Sequence, residues 1–201
     1  PAQFGERTET YREEVAARVY EAYESALLRS NAVDFDDLLL KTFMLFEGFP
    51  EVLEKYQQRY EHLLVDEFQD TNPLQFQIAR LLALKNRNIC VVGDPDQSIY
   101  SWRHADPANL TDFQATFKGT KIVKLDQSYR STQIILEAAD AVIGNNDDRM
   151  EKELWTENSR GNRVTVAEAY NEEEEARLVL EETARLRQKE GIGQNEIAVM
   201  Y

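Results

Sequence analysis

Two short apolar runs, His62-Leu63-Leu64-Val65 and Ile89-Cys90-Val91-Val92, each end abruptly in an acidic or glycine-bearing segment. Between them, Pro73 to Leu84 carries a helical apolar period with proline in its first turn. This spacing predicts a βαβ unit. Continuous apolar strands joined by a crossover helix are expected to run parallel and to be buried on both faces. Ligands of such sheets bind beyond the carboxyl ends of the strands. The expected fold class is α/β, a partial parallel sheet flanked by helices. A third short strand is expected over Lys121 to Leu125, followed by a helix from Thr132 to Ile143.

The rest of the chain is mostly helical by the same reasoning. Tyr11, Val15, Val19, Tyr23 and Leu27 recur every four positions and predict an amphipathic helix from Thr8 to Leu28. Asp34 stands at an N-cap position with Asp36 and Asp37 in the first turn, so the three carboxylates read as cap and dipole chemistry for a helix through Phe46, rather than as a metal site. A further helix follows Phe49-Pro50 and runs to about Tyr60. Gly144 to Gly161 is polar and turn-rich and reads as a long surface connection. Arg163 to Ala169 alternates as a strand, Asn171 and Glu174 have capping-box spacing, and Glu172 to Lys189 reads as a helix. The four glutamates that open it read as a solvated first turn. Ile197 to Tyr201 reads as a last strand.

Composition narrows the function classes. With 42% hydrophobic and 30% charged residues, the chain is expected to fold rather than remain disordered. No apolar run approaches the ~20 residues of a bilayer span and no basic-then-apolar leader opens the sequence, so no membrane partner is expected. The single cysteine, Cys90, has no intramolecular partner, and with two histidines it cannot supply an ordinary zinc site, which fits a reducing, cytoplasmic setting. The net charge of −14 leaves no third of the chain basic. A nucleic acid would then be held by placed side chains and stacking, not by a broad positive field.

Chemistry gathers at the strand ends. Leu63-Leu64-Val65 leads into Asp66 and Glu67, then Gln69, Asp70 and Thr71. Adjacent carboxylates after a buried strand suit a site in which one holds a magnesium shell while the next polarises a water for attack on a phosphoryl group. Read alone, the pair is also compatible with an acidic surface turn. The second strand ends in Gly93-Asp94-Pro95-Asp96-Gln97-Ser98, whose neutral glutamine amide can hold or sense a γ-phosphate. Ile99-Tyr100-Ser101-Trp102-Arg103 follows, with the aromatic and guanidinium composition of a base-stacking platform. Trp102 also reads as a plain core residue. Gln127-Ser128-Tyr129-Arg130-Ser131 offers an aromatic that can stack on a nucleobase and an arginine that can reach a phosphate.

In this order, Leu64-Val65-Asp66-Glu67-Phe68-Gln69-Asp70-Thr71-Asn72, Gly93 to Arg103 and Gln127 to Ser131 closely resemble successive motifs of the UvrD/PcrA/Rep family of superfamily 1 DNA helicases. Val33 to Leu38 and Leu154 to Asn158 are also similar to that family, so the resemblance covers nearly the whole chain. It implies a RecA-like P-loop NTPase fold and ATP-driven 3′ to 5′ movement on single-stranded DNA. Its implied partners are single-stranded and duplex DNA, its cofactors ATP and Mg2+, and its setting the bacterial cytoplasm and nucleoid, in DNA repair or replication. Asp66 would coordinate magnesium and Glu67 would be the general base. Gln97 would contact the γ-phosphate and couple it to DNA through Tyr100 and Arg103. Trp102 would stack on a DNA base, Tyr129 on adenine, and Arg130 would act on the transferring phosphate.

Two departures qualify the resemblance. The family usually has glycine after the Trp-Arg pair, where this chain has His104. No Gly-x-x-x-x-Gly-Lys-Ser/Thr occurs, because none of the 8 glycines falls in such a pattern, so the phosphate cradle and its strand are missing from these 201 residues. Pro1 at one end and an uncapped strand at the other make an internal fragment the expectation, inactive by itself. Residues 1–30 would end a helical insertion of the first domain, 31–130 form the second half of the first RecA-like domain, and 131–201 open the second. Two rival readings are a metal-dependent phosphohydrolase or nuclease built on Asp66, Glu67, Asp94 and Asp96, and a non-enzymatic scaffold descended from a helicase.

Overall fold

A computed structural model describes residues 10–146 and 152–201. The expected helix start at Thr8 and residues 147–151 of the polar connection lie outside the described residues. The chain divides into two compact units, the first reaching Lys124 and the second comprising 125–146 and 152–201.

In the first unit, helices α1 (Tyr11–Arg29), α2 (Phe35–Gly48) and α3 (Pro50–Arg59) precede strand β1 (Leu63–Val65), helix α4 (Pro73–Ala83), strand β2 (Ile89–Val91) and helix α5 (Ala108–Thr116). Local chemistry sets the helix starts. Thr10 and Glu13 form a reciprocal capping box on α1. Asp34 Oδ1 accepts the Asp37 amide at 2.8 Å, as its position predicts, and its Oδ2 accepts the Tyr23 hydroxyl at 2.9 Å, tying α1 to the head of α2. The Asp37 amide and the Tyr23 hydroxyl hold the Asp34 carboxyl below its ordinary range. Pro73 begins α4 behind an Asn72–Gln75 capping box.

The βαβ expectation holds. β1 and β2 pair in parallel, with Leu63 opposite Ile89, Leu64 opposite Cys90 and Val65 opposite Val91. Leu63, Val65, Ile89 and Val91 press on a cluster of Phe68, Phe76, Ala83, Phe113 and Phe117, and α4 and α5 supply all of that cluster except Phe68 and Phe117. α2 and α3 pack on α4, with the Gln57 amide donating to the Leu81 carbonyl at 2.7 Å and Lys85 paired with Glu54 at 2.7 Å.

Burial on both strand faces is corrected. Leu64 is 77% exposed and Cys90 is exposed, so among the described residues only one face of the pair carries a packed layer. The strand expected over Lys121 to Leu125 is not formed, and neither are those over Arg163 to Ala169 and Ile197 to Tyr201. Alternating side chains favour an extended backbone, but a strand exists only where a neighbouring backbone takes its hydrogen bonds.

The second unit holds helix α6 (Gln133–Ile143) and helix α7 (Glu172–Lys189), the latter with the bounds expected from sequence. The box at α7 is half formed. Asn171 Oδ1 accepts the Glu174 amide at 2.9 Å, while the Glu174 carboxylate turns one residue further back to the Tyr170 amide at 2.8 Å. Trp155 forms a parallel bridge with Gln127, which braces the described part of the surface connection around it.

Candidate functional site

β1 hands the chain directly to Asp66 and Glu67, and the site is built where the backbone then turns. Asp66 Oδ1 accepts the Glu67 amide at 2.9 Å, and Glu67 sits at φ 50°, ψ 43°, in the left-handed region that a side chain with a Cβ normally avoids. This twist ends the strand and starts a 3-10 turn, Phe68–Asp70, driving the Phe68 ring into the core while the Asp66 and Glu67 side chains stay exposed. The Phe68 amide donates to the Val92 carbonyl at 2.9 Å, which fixes the turn against the end of β2.

The loop after β2 lies alongside. The Asp94 amide donates to Gln69 Oε1 at 3.0 Å and the Ser98 hydroxyl to the Gln69 carbonyl at 3.3 Å. Gln97 ends a 3-10 turn, Pro95–Gln97, and its amide donates to Asp94 Oδ2 at 2.8 Å, while Asp94 Oδ1 accepts the Asp96 amide at 3.0 Å. The carboxylate pair and the glutamine loop, far apart in sequence, are therefore neighbours. Asp94 uses both carboxylate oxygens within its own loop, and among the described residues no three of His, Cys, Asp or Glu form a group able to hold a metal ion. A phosphohydrolase built on a four-carboxylate cluster does not fit that geometry.

Tyr100, Trp102 and Arg103 form one exposed platform. Trp102 is 69% exposed, which removes the core-residue alternative. The Arg103 guanidinium lies 4.6 Å from the Trp102 ring centre and 5.4 Å from that of Tyr100, and the two rings are 6.1 Å apart. The 3-10 turn Ser101–Arg103 closes on His104 at φ 64°, ψ 22°. This left-handed conformation is one that glycine enters without strain, and it accounts for the usual glycine at this place. His104→Gly is expected to raise stability by about 0.5–1 kcal/mol, read as a higher urea midpoint at unchanged slope. A lower midpoint would mean that the imidazole makes contacts worth more than the strain.

In the second unit, Tyr129 is 81% exposed with its hydroxyl donating to Gln127 Oε1 at 2.9 Å, and Arg130 is exposed beside it. Their segment is braced from behind. The Ser128 amide donates to the Trp155 carbonyl at 2.8 Å, and the Asn158 amide donates to the carbonyls of Tyr129 and Ser131 at 3.3 and 3.2 Å.

Three site residues carry roles that the sequence did not assign. Gln69 joins the two loops of the first unit. Asn109, 2% exposed on α5, donates to the Thr71 carbonyl at 2.8 Å and anchors the end of the acidic turn. Asn158 holds the Tyr129 segment. For Gln69 the available signal was an amide inside an acidic turn, whereas Asn109 and Asn158 make contacts too distant in sequence to be anticipated.

The donor set at the strand end suits magnesium. Asp66 offers a hard carboxylate with one oxygen left over from the Glu67 amide, and a protein commonly holds this ion through one or two carboxylates with water and phosphate completing the shell. Asp70 Oδ1, shut off from solvent, has no hydrogen-bond partner among the described residues. No shaped cradle for a triphosphate accompanies these oxygens in the sequence.

Two family descriptions match nearly the whole chain: the UvrD/REP helicase N-terminal domain over residues 1–118 and the UvrD-like helicase C-terminal domain over 123–201. The parallel β1–β2 pair with its flanking helices is a partial RecA-like architecture of the kind those domains adopt. The chain is similar to the ATP-dependent DNA helicase PcrA of Leuconostoc citreum, 44% identical over all of this chain and 27% of that protein. It matches the Staphylococcus aureus protein of the same description at 43% over the same shares. The Staphylococcus epidermidis one is 44% identical over 95% of this chain and 26% of its own length. The chain thus spans about a quarter of the curated relatives it matches.

Proposed function

Because the chain belongs to the UvrD/REP helicase family, we propose that it is the part of an ATP-dependent DNA helicase that couples the nucleotide to single-stranded DNA. One observation carries this reading: the Asp66-Glu67 turn is hydrogen-bonded to the loop bearing Gln97, and the same loop runs on into the exposed Tyr100–Trp102–Arg103 platform. A change at the nucleotide then has a short covalent path to DNA. In the full-length protein the activity is movement 3′ to 5′ on single-stranded DNA with duplex unwinding, in bacterial DNA repair or replication in the cytoplasm at the nucleoid. No described helix is long and apolar enough to cross a membrane. In this reading residues 1–30 end a helical insertion of the first domain, 31–130 form the second half of the first RecA-like domain and 131–201 open the second, a division that the two separate family matches, over 1–118 and 123–201, support only in that there are two domains.

The residues divide the work. Asp66 would hold magnesium, which would supply positive charge to offset that of the triphosphate. Glu67 orients the attacking water and takes its proton. Gln97, released from Asp94, meets the γ-phosphate. Trp102 stacks on a base while Arg103 and Tyr100 hold its ring. Tyr129 stacks on adenine, and Arg130 stabilises the charge on the transferring phosphoryl group. Trp102→Ala in the full-length protein is expected to weaken single-stranded DNA binding by about 1–3 kcal/mol and to lower DNA-stimulated ATP hydrolysis more than basal hydrolysis. Fluorescence anisotropy at one fixed salt concentration checks it, and unchanged affinity removes Trp102 from the DNA path.

The 201 residues by themselves bind Mg-ATP too weakly to register at micromolar concentration. Asp66, Glu67, Asp70, Asp94 and Asp96 make both loops of the site acidic, and no glycine-rich loop with its lysine is present in the sequence to offset the charge of the triphosphate. Isothermal calorimetry on the purified chain is the test, and micromolar binding would mean that the nucleotide sits elsewhere.

A further inference from the structure

We propose that Gln69 is a positioning residue that locks the Glu67 carboxylate and the Gln97 loop into one unit, an inference that rests on reading Glu67 as the base for the attacking water. Gln69 is 1% exposed, so its amide must find its partners inside the protein. All of the partners of that amide belong to the site. Nε2 donates to Glu67 Oε2 at 2.7 Å and reaches Asp70 Oδ2 at 3.4 Å, while Oε1 accepts the Asp94 amide at 3.0 Å. The opposite amide orientation would set its oxygen against two carboxylates and its NH2 against an N–H, so the hydrogen-bond pattern fixes one orientation. Asp94 continues the connection, its Oδ2 accepting the Gln97 amide at 2.8 Å. Three hydrogen bonds thus join Gln97 to Glu67, and Gln69 makes two of them.

The packing around this amide is shaped for it. A Cβ built on Gly93 would stand 2.7 Å from Gln69 Oε1, so glycine is what lets the loop close on the amide oxygen. An apolar side chain of similar volume would fill the same space without the cost of burying polar groups, which makes the hydrogen bonds, not the volume, the reason for glutamine here. Glu67 is otherwise an exposed side chain on a left-handed backbone turn, and among the described residues the Gln69 N–H is the group that holds its carboxylate in one rotamer. Misplacing a reacting group by about 1 Å can cost on the order of a hundredfold in rate.

The test is steady-state Mg-ATP hydrolysis by the full-length protein and its variants, each checked for folding by thermal melting. Gln69→Met is expected to lower kcat by roughly 10- to 100-fold while moving KM by less than about threefold. In that background Gln97→Ala is expected to cost less than it does alone, because the part of its effect that passes through Asp94 and Gln69 to Glu67 is already lost while its contact with the γ-phosphate remains. Gly93→Ala perturbs the same amide from the other side and is expected to lower kcat in the same way; it carries the test if Gln69→Met does not fold. A folded variant with kcat within threefold of the parent, or a Gln97→Ala effect undiminished in the Gln69→Met background, overturns the proposal. Glu67→Gln separates the two levels. If it hydrolyses at the parent rate, the reading of Glu67 as base falls, whereas a slow Glu67→Gln beside a fast Gln69→Met sinks only the role given to Gln69.

Discussion

Glu67→Gln in the full-length protein is expected to lower kcat for ATP hydrolysis by roughly a hundredfold or more, with little change in Mg-ATP affinity. The geometry explains why the loss is confined to chemistry. Glu67 uses Oε2 to accept the Gln69 N–H, and a glutamine at this position can keep an oxygen there by turning its amide, so the contact and the left-handed backbone survive. What changes is the other terminal atom, which becomes an NH2 that cannot take a proton from water. The substitution also removes a negative charge from an acidic turn, so nucleotide binding should hold or tighten slightly. Single-turnover hydrolysis together with equilibrium binding of Mg-ATP separates the two quantities. A collapse of affinity with turnover of bound ATP intact would make Glu67 a binding residue and place the base elsewhere.

Phe68→Ala is expected to destabilise the chain by about 3–5 kcal/mol, a large part of the whole stability of an ordinary domain. The ring is fully buried and meets Phe76 edge-on at 5.7 Å and Phe113 at 5.8 Å, so truncation leaves a void among rings already held by α4 and α5. Phe68 stands directly between Glu67 and Gln69, and its amide fixes the turn to Val92. Phe68 thus anchors the acidic turn in the main core through both its ring and its backbone amide. Phe68→Leu keeps most of the volume and should recover more than half of the loss. Urea unfolding of the 201-residue chain gives both numbers, and a loss under about 1 kcal/mol for alanine would mean that the turn is held mainly by its hydrogen bonds.

Local chemistry made much of this protein legible in advance. The caps at Asp34 and Asn171, proline in the first turn of α4, the bounds of α7 and the parallel β1–β2 unit follow from residues within a turn or two of each other, or from two apolar runs that share one crossover helix. The motif order from Leu64 to Ser131 identified the family, because it is a property of the chain and needs no contact to be known. Strand-like residues misled at Lys121 to Leu125 and Ile197 to Tyr201, as alternation did at Arg163 to Ala169. Periodicity reports which side chains suit a strand, but only another backbone can complete one.

What the tertiary structure alone decided is which of the motif residues touch. Trp102 could have been a core residue until the fold left it exposed under the Arg103 guanidinium, and His104 could have been any surface substitution until φ showed that it takes up the turn of a glycine. Asp94 read as a metal ligand by type but spends its oxygens on Asp96 and Gln97. Gln69 had no role that its neighbours in sequence could reveal, because its Asp94 partner lies 25 residues away and is brought to it by the pairing of β1 with β2. Residue types and their order fixed what chemistry was available. Which groups share a hydrogen bond depends on distances of a few ångströms between segments remote in sequence, and only the packed core sets those.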